Sequence, residues 1–151
     1  MNIYLASSLH TDELKSKINT VVEFLRSKGQ NVFSPLEMKI PDAWNLSNAE
    51  WAKQVYDNDV KALNNSDIVV CIYNGFSFNG GTGTAWEVGY AKALNKDVIV
   101  LCTNPDDAQS LMIINSGTIV VPYCMYKEAW VLYSETYVKE RFVHSKIKDQ
   151  K

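Results

Sequence analysis

The stretch Ser66-Asp67-Ile68-Val69-Val70-Cys71-Ile72-Tyr73 decides the fold. From Ile68 to Tyr73 it is continuously apolar or aromatic, too short for a helix and preceded by polar residues, which is how a strand buried on both faces of a parallel sheet reads. A turn-rich segment from Asn74 to Gly83 follows, then a helix from about Thr84 to Asn95, then a second apolar run from Val98 to Cys102. Strand, helix and strand in that order make a βαβ unit, because parallel neighbours need a long crossover between them.

The same alternation extends upstream. Ile3 to Ala6 is a short apolar run ending in Ser7-Ser8, and beyond it Leu14, Ile18, Val21, Val22 and Leu25 fall on one helical face. Thr11 suits the N-cap, with Asp12 and Glu13 in the positive first turn, and Gly29 stands where the helix should end. Asn31 to Phe33 resumes strand character, and Pro35 to Leu46, with two prolines, predicts a long irregular connection. Ser47-Asn48-Ala49-Glu50 has capping-box spacing, so a second helix should run to Asn64 and stop at Asn65-Ser66.

Downstream, Asn104-Pro105-Asp106-Asp107 begins a short helix or loop toward Met112, Thr118 to Val121 reads as a last strand, and Met125 to Ile147 as a long terminal helix. No internal repeat or low-complexity linker interrupts the chain. The expectation is a single domain over residues 1–151, of the α/β class: a doubly wound, flavodoxin- or Rossmann-like parallel sheet of about five strands with helices on both faces. In such a sheet sites form at the carboxyl ends of the strands, which directs attention to the loops after Ala6, Tyr73 and Cys102.

Composition narrows the function. Of 151 residues 46% are hydrophobic and 21% charged, which excludes a disordered or fibrous chain. The net charge of -2 leaves no basic stripe for polymeric DNA or RNA. Cys71 and Cys102 lie inside apolar runs, where free cysteine behaves as a small core residue. His10 and His144 lack a second ligand at metal spacing, so no metal site is expected. No apolar stretch reaches the roughly 18 residues that span a bilayer, and the opening Asn2-Ile3-Tyr4-Leu5-Ala6 has no leader pattern, so no membrane association and a cytoplasmic location are expected. The glycine-rich turn Gly80-Gly81-Thr82-Gly83-Thr84 lacks the Gly-Lys-Ser/Thr of a phosphate loop and the spacing of a dinucleotide fingerprint, which speaks against ATP and NAD chemistry. Its backbone amides could nonetheless approach a ligand closely.

Two acids stand where structure alone would not put them. Glu87 lies in the middle of the stripe formed by Tyr90, Ala91 and Leu94. It reads either as an exposed first-turn Glu favoured by the helix dipole, or as a partly desolvated carboxylate held ionised by that dipole at the mouth of the sheet, the setting of a carboxylate nucleophile. Asp59 follows Trp51 and Val55 at intervals of four, so the three share one face of the second helix; they could be core edge, and a solvated Asp there would be unfavourable to the helix dipole. Tyr4, on the first strand, would be a core residue whose hydroxyl needs a partner, and a nearby carboxylate would serve.

The opening Ile3-Tyr4-Leu5-Ala6-Ser7-Ser8-Leu9, the placing of Asp59 ahead of Ser66-Asp67-Ile68-Val69-Val70, and Gly83-Thr84-Ala85-Trp86-Glu87-Val88-Gly89-Tyr90-Ala91 resemble the nucleoside 2-deoxyribosyltransferase family. The resemblance implies a transferase of nucleotide salvage that cleaves the N-glycosidic bond of 2′-deoxynucleosides and passes the sugar to another base. Glu87 would be the nucleophile at the anomeric carbon, Tyr4 would orient it, and Asp59 would shuttle the proton of the base. Trp51 would line the base pocket, and Ser7, Ser8, Gly81, Thr82, Gly83, Ser110 and Met112 would contact substrate. The implied partners are small-molecule nucleosides or nucleotides and free bases, with no cofactor. The implied assembly is a homo-oligomer, a dimer or higher, whose sites are completed across subunits.

Two positions depart from that pattern. Gly81 stands where the transferases usually carry Asp, with Thr82 or Asn79 as possible substitutes, and Ser110-Leu111-Met112 replaces the family's Asn-x-Met. Ser-x-Met is similar to the deoxynucleoside 5′-monophosphate N-hydrolases, whose Arg after the first strand is His10 here. The glycine turn with Glu87 also resembles cytokinin-activating phosphoribohydrolases, whose upstream phosphate loop is missing. A non-catalytic nucleotide-binding module on the same fold is the remaining alternative.

Overall fold

The computed structural model describes residues 1–75, 81–104 and 110–136. Its elements run β1 (Asn2–Ser7), α1 (Asp12–Ser27), β2 (Asn31–Phe33), α2 (Asn48–Asn65), β3 (Ile68–Tyr73), α3 (Gly81–Ala93), β4 (Asp97–Cys102), α4 (Leu111–Ser116), β5 (Ile119–Pro122) and α5 (Tyr126–Thr136). The five strands form one sheet in the order β2-β1-β3-β4-β5, every neighbouring pair parallel. This is the doubly wound architecture expected from the alternation, and its order reverses between β1 and β3.

Strand alternation splits the core into two layers. Ile3, Leu5, Ile68, Val70, Ile72, Ile99 and Leu101 face α1 and α5, packing on Ile18, Val22, Leu25 and Trp130. Tyr4, Ala6, Val69, Cys71, Tyr73, Val98 and Val100 face the other way, toward Leu63 of α2, Val88 and Ala91 of α3 and Ile113 of α4. Cys71 and Cys102 are free thiols in this second layer, as expected, and Cys124 is exposed. Parity along β1 therefore places Tyr4 on the same side as α2 and α3.

The helix boundaries have identifiable causes. Thr11 caps α1 by accepting from the Leu14 amide at 3.2 Å. The chain leaves α1 through Gly29 at φ +75°, a left-handed conformation that lets the Gln30 amide reach the Leu25 carbonyl at 3.2 Å. Ser47 and Glu50 close both bonds of the capping box on α2. The connection from Pro35 to Leu46 is irregular apart from single 3-10 turns at Pro35–Glu37 and Ala43–Asn45.

Two expected boundaries are corrected. Helix α3 starts at Gly81, not Thr84, because the last part of the glycine-rich turn is already helical. The terminal helix starts at Tyr126 after a 3-10 turn over Tyr123–Met125. The continuation of that helix to Ile147, His144, the Pro105–Asp107 stretch, Asn79 and Gly80 lie outside the described residues.

Candidate active site

Tyr4 sits in the middle of β1, in register with Phe33 of β2 and Val69 of β3, and is fully buried. Its ring stacks on Phe33 with centroids 5.5 Å apart and planes at 15°. Its hydroxyl donates to Glu87 Oε1 at 2.7 Å. A core tyrosine and an acid on α3 are thus each other's partners.

Glu87 is flanked by the buried stripe Thr84, Val88 and Ala91 of α3. Tyr90 is half-buried, and Leu94 is 39% exposed rather than part of the stripe, because α3 ends at Ala93 and the helical period does not carry past it. The early start of α3 makes Glu87 its seventh residue, beyond the first turn where a helix dipole acts strongly. The first-turn reading is therefore corrected, and with it the idea that the dipole holds Glu87 ionised. Burial dominates and pushes its carboxyl up to about 7, helped by the charge of Asp59 and opposed by the Tyr4 hydrogen bond.

Asp59, on α2, faces the same point. Burial pushes it up to about 6, and interaction with the Tyr4 hydroxyl pulls the other way. Its Oδ1 is buried with no hydrogen-bond partner. Tyr4, squeezed by burial and by both carboxylates, is raised far above the ordinary phenol range and stays a neutral donor.

Asp59 and Glu87 border a cavity of about 420 Å³ between α2 and α3, whose walls are carried mainly by Trp51, Val55, Tyr56 and Trp86, with Gly83 at one side. The intervals of four that place Trp51, Val55 and Asp59 on one face thus define a wall. Tyr56 and Trp86 were not expected there. The signal was available for Tyr56, which is three residues before Asp59 and so on its side of α2. Trp86 stacks on Tyr90 with centroids 5.0 Å apart at 8°, and Tyr56 tilts against it at 5.7 Å.

The remaining site candidates are spread around this centre. Ser8 is buried, and its Oγ has no hydrogen-bond partner, whereas the Ser7 Oγ donates to the Ser8 carbonyl at 3.3 Å. Gly83 lines the cavity; Gly81 and Thr82, at the start of α3, do not. Ser110 is the N-cap of α4, its hydroxyl accepting from the Ile113 amide at 3.5 Å and its own amide donating to the Tyr73 hydroxyl at 3.3 Å. Met112 points to solvent, 79% exposed, and neither it nor Ser110 borders the cavity. His10 is exposed. Among the described residues no group of three metal-ligating side chains comes together, and no helix is long and apolar enough to cross a membrane.

Fold and site together define a doubly wound α/β protein with a carboxylate pair beside the β1/β3 switch point of its sheet. The chain belongs to the nucleoside 2-deoxyribosyltransferase family, whose model matches residues 3–138. Among solved structures it is similar to the 2-deoxyribosyltransferase of Bacillus psychrosaccharolyticus, at 33% identity over 79% of this chain and 84% of that one, with a TM-score of 0.70. Two further structures share the fold. One is a conserved protein from Enterococcus faecalis, at 19% identity, TM-score 0.66, covering 86% of this chain and 97% of that one. The other is the CMP N-glycosidase of Clostridium botulinum, at 21% identity, TM-score 0.57, covering 89% and 98%. No curated protein sequence matches this chain.

Proposed function

We propose that this protein is a nucleoside 2-deoxyribosyltransferase that works through a covalent deoxyribosyl ester on Glu87. The observation that carries the reading is that Glu87, held by the Tyr4 hydroxyl, and Asp59 both line one apolar cavity. Glu87, as carboxylate, attacks the anomeric carbon while the bond to the base breaks through an oxocarbenium-like state. The electron pair of that bond leaves with the base, and Asp59 supplies a proton to it. Tyr4 holds Glu87 by donating its only proton, which fixes the attacking oxygen and favours the charged form. A second base then enters, gives a proton back to Asp59 and takes the sugar from Glu87 with overall retention.

The apolar walls favour a planar base over water as acceptor, which is why transfer is preferred to hydrolysis. The match over nearly the whole chain supports its acting as one domain. Ser110 and Met112 lie off the cavity, which suits a homo-oligomer in which they serve a neighbour's site.

The test is incubation with a deoxynucleoside and a second free base, and separately with the matching 5′-monophosphate. Appearance of the new deoxynucleoside supports the proposal. Sugar phosphate and free base from the monophosphate alone, without exchange, would replace transfer by hydrolysis, and tight binding without turnover would make the protein a binding module.

A further inference from the structure

Resting on the glycosyl transfer proposed at Glu87, we infer that Phe33 is a positioning residue for that reaction: its ring, stacked on Tyr4, aims the single Tyr4 proton at Glu87 rather than at Asp59.

The Tyr4 hydroxyl has two competing acceptors. It donates to Glu87 Oε1 at 2.7 Å, while the Asp59 carboxyl interacts with the same hydroxyl and keeps a buried Oδ1 without a partner. The hydroxyl has one proton to give, and a hydrogen bond weakens steeply once its distance or angle is lost. The oxygen stands at the far end of a long side chain, so a small tilt about the Cα–Cβ bond displaces it more than any other atom of the residue. Parallel strands in register turn their side chains the same way, so Tyr4 of β1 and its partner Phe33 of β2 point together into the core layer that faces α2 and α3. Their rings lie 5.5 Å apart at 15°, an offset stack that resists the tilt, and among the described residues no other ring stacks on Tyr4.

Phe33 is itself held through its strand. The Asn31 amide donates to the Met1 carbonyl at 3.0 Å, and Asn31 Nδ2 donates to Asn2 Oδ1 at 2.8 Å. Arg26 donates to the Val32 carbonyl at 2.9 Å and to both carboxylate oxygens of Glu37 at 2.8 and 2.7 Å, which fixes the chain on either side of Phe33. Phe33 also borders a cavity of about 280 Å³, with Asn31, Ala62 and Asn65 among its walls, that Tyr4 does not line. Open space, not packed core, therefore adjoins the ring there, and its place against Tyr4 depends on the bonds that hold the strand. A smaller side chain at this position would leave Tyr4 unsupported, whereas a ring with one more polar atom has room.

The direction of that proton sorts the two acids into their roles. The titratable groups that act on or feel Glu87 are Tyr4 of β1, Asp59 of α2 and Cys71 of β3, the last a thiol that burial keeps neutral. Of these, Tyr4 alone favours the charged form of Glu87, through its hydrogen bond. A proton aimed at Glu87 supports the carboxylate that attacks the sugar, and by leaving Asp59 without it supports the acid that protonates the departing base.

The experiment follows the Glu87 carboxyl in the protein without substrate, by NMR titration of isotope-labelled glutamates, with Glu87→Gln identifying the resonance. Phe33→Leu should raise the Glu87 midpoint by about half a unit to one unit, a part of what loss of the Tyr4 bond gives. Looser packing alone would wet the carboxyl and lower the midpoint, so the sign separates aiming from packing. Phe33→Met, unbranched and without a ring, is measured alongside and should shift the same way, so that loss of the fold in one variant leaves the other to decide. Phe33→Tyr keeps the stack, places its hydroxyl toward the cavity and should titrate as wild type. In transfer assays near pH 6, Phe33→Leu should lose about three- to tenfold in kcat with KM for the donor changed less than about twofold, the loss narrowing as pH rises. Placed on Tyr4→Phe, Phe33→Leu should change neither midpoint nor rate further, because its effect runs through the Tyr4 hydroxyl. An unchanged or lowered Glu87 midpoint, or an equal loss with and without that hydroxyl, would overturn the inference. Absence of transfer by the wild-type protein would overturn the proposed function instead, and the titration would still decide what Phe33 does.

Discussion

The hydroxyl of Tyr4 donates to Glu87 Oε1 at 2.7 Å across a sequence separation of 83 residues. That bond favours the carboxylate, so its loss should leave burial and the Asp59 charge less opposed at Glu87. Tyr4→Phe should therefore move the acid limb of the activity profile to higher pH. We expect a loss of roughly tenfold in kcat/KM below pH 7 that narrows as pH rises, since a hydrogen bond to a charged group is worth about 1.5–3 kcal/mol. A uniform loss at all pH values would mean that Tyr4 serves only to pack against Phe33.

Glu87→Gln should abolish turnover, because no covalent route remains, while keeping the acceptor for Tyr4. It should also stabilise the fold at alkaline pH. The folded value of about 7 lies above the ordinary 4.5, so the folded state holds the extra proton between them and loses stability as pH rises through that window. Relieving the buried charge is worth on the order of 2–3 kcal/mol at pH 8 and nothing near pH 4, a Tm gain of several degrees at the higher pH only. Thermal melts at the two pH values check this, and a Tm equal to wild type at both would show that the ionised Glu87 carries no burial cost.

Transfer needs Glu87 ionised and Asp59 protonated at once. With the two raised to about 7 and about 6, the pair holds roughly one proton between them near pH 6.5, mainly on Glu87, so the productive arrangement is the minor form of that one-proton state. A narrow bell in kcat/KM centred there is expected, falling on the acid side as Glu87 protonates and on the alkaline side as Asp59 ionises. Asp59→Asn should remove the alkaline limb and slow base departure by about 10²–10⁴-fold, more than Tyr4→Phe. An unchanged rate for every base would make Asp59 a bystander.

Gly117, between α4 and β5, tests the packing. Its φ of -67° is ordinary, yet a Cβ there would overlap the Val120 side chain, stand 3.1 Å from Val100 and 3.3 Å from the Ile114 carbonyl. Gly117→Ala should cost about 1–3 kcal/mol, read as a lower urea midpoint. A midpoint within error of wild type would show that β5 shifts freely.

Part of the site could be read from the chain because its two acids each break a local rule. Glu87 interrupts an apolar stripe, and Asp59 climbs one helix face with Trp51 and Val55; both anomalies resolve at the same cavity. The strands were legible from continuous apolar runs, and α1 and α2 from their caps. What escaped depends on tertiary surroundings. Exposed Tyr56 and Trp86 look like ordinary surface aromatics until α2 and α3 are brought together. The start of α3 was hidden because glycines signal a turn, although they also fit a first helical turn. The proton affinity of Glu87 escapes the sequence for the same reason, since its distance from the helix start decides whether dipole or burial wins.

The two border strands are short: β2 has three residues, and β5 has four and closes on Pro122, which has no amide proton to give. Neither offers a second molecule a ladder long enough to extend the sheet sideways. Association between copies is thereby steered onto helical surfaces, and the chain is guarded against the strand-by-strand growth that turns open sheets into fibres.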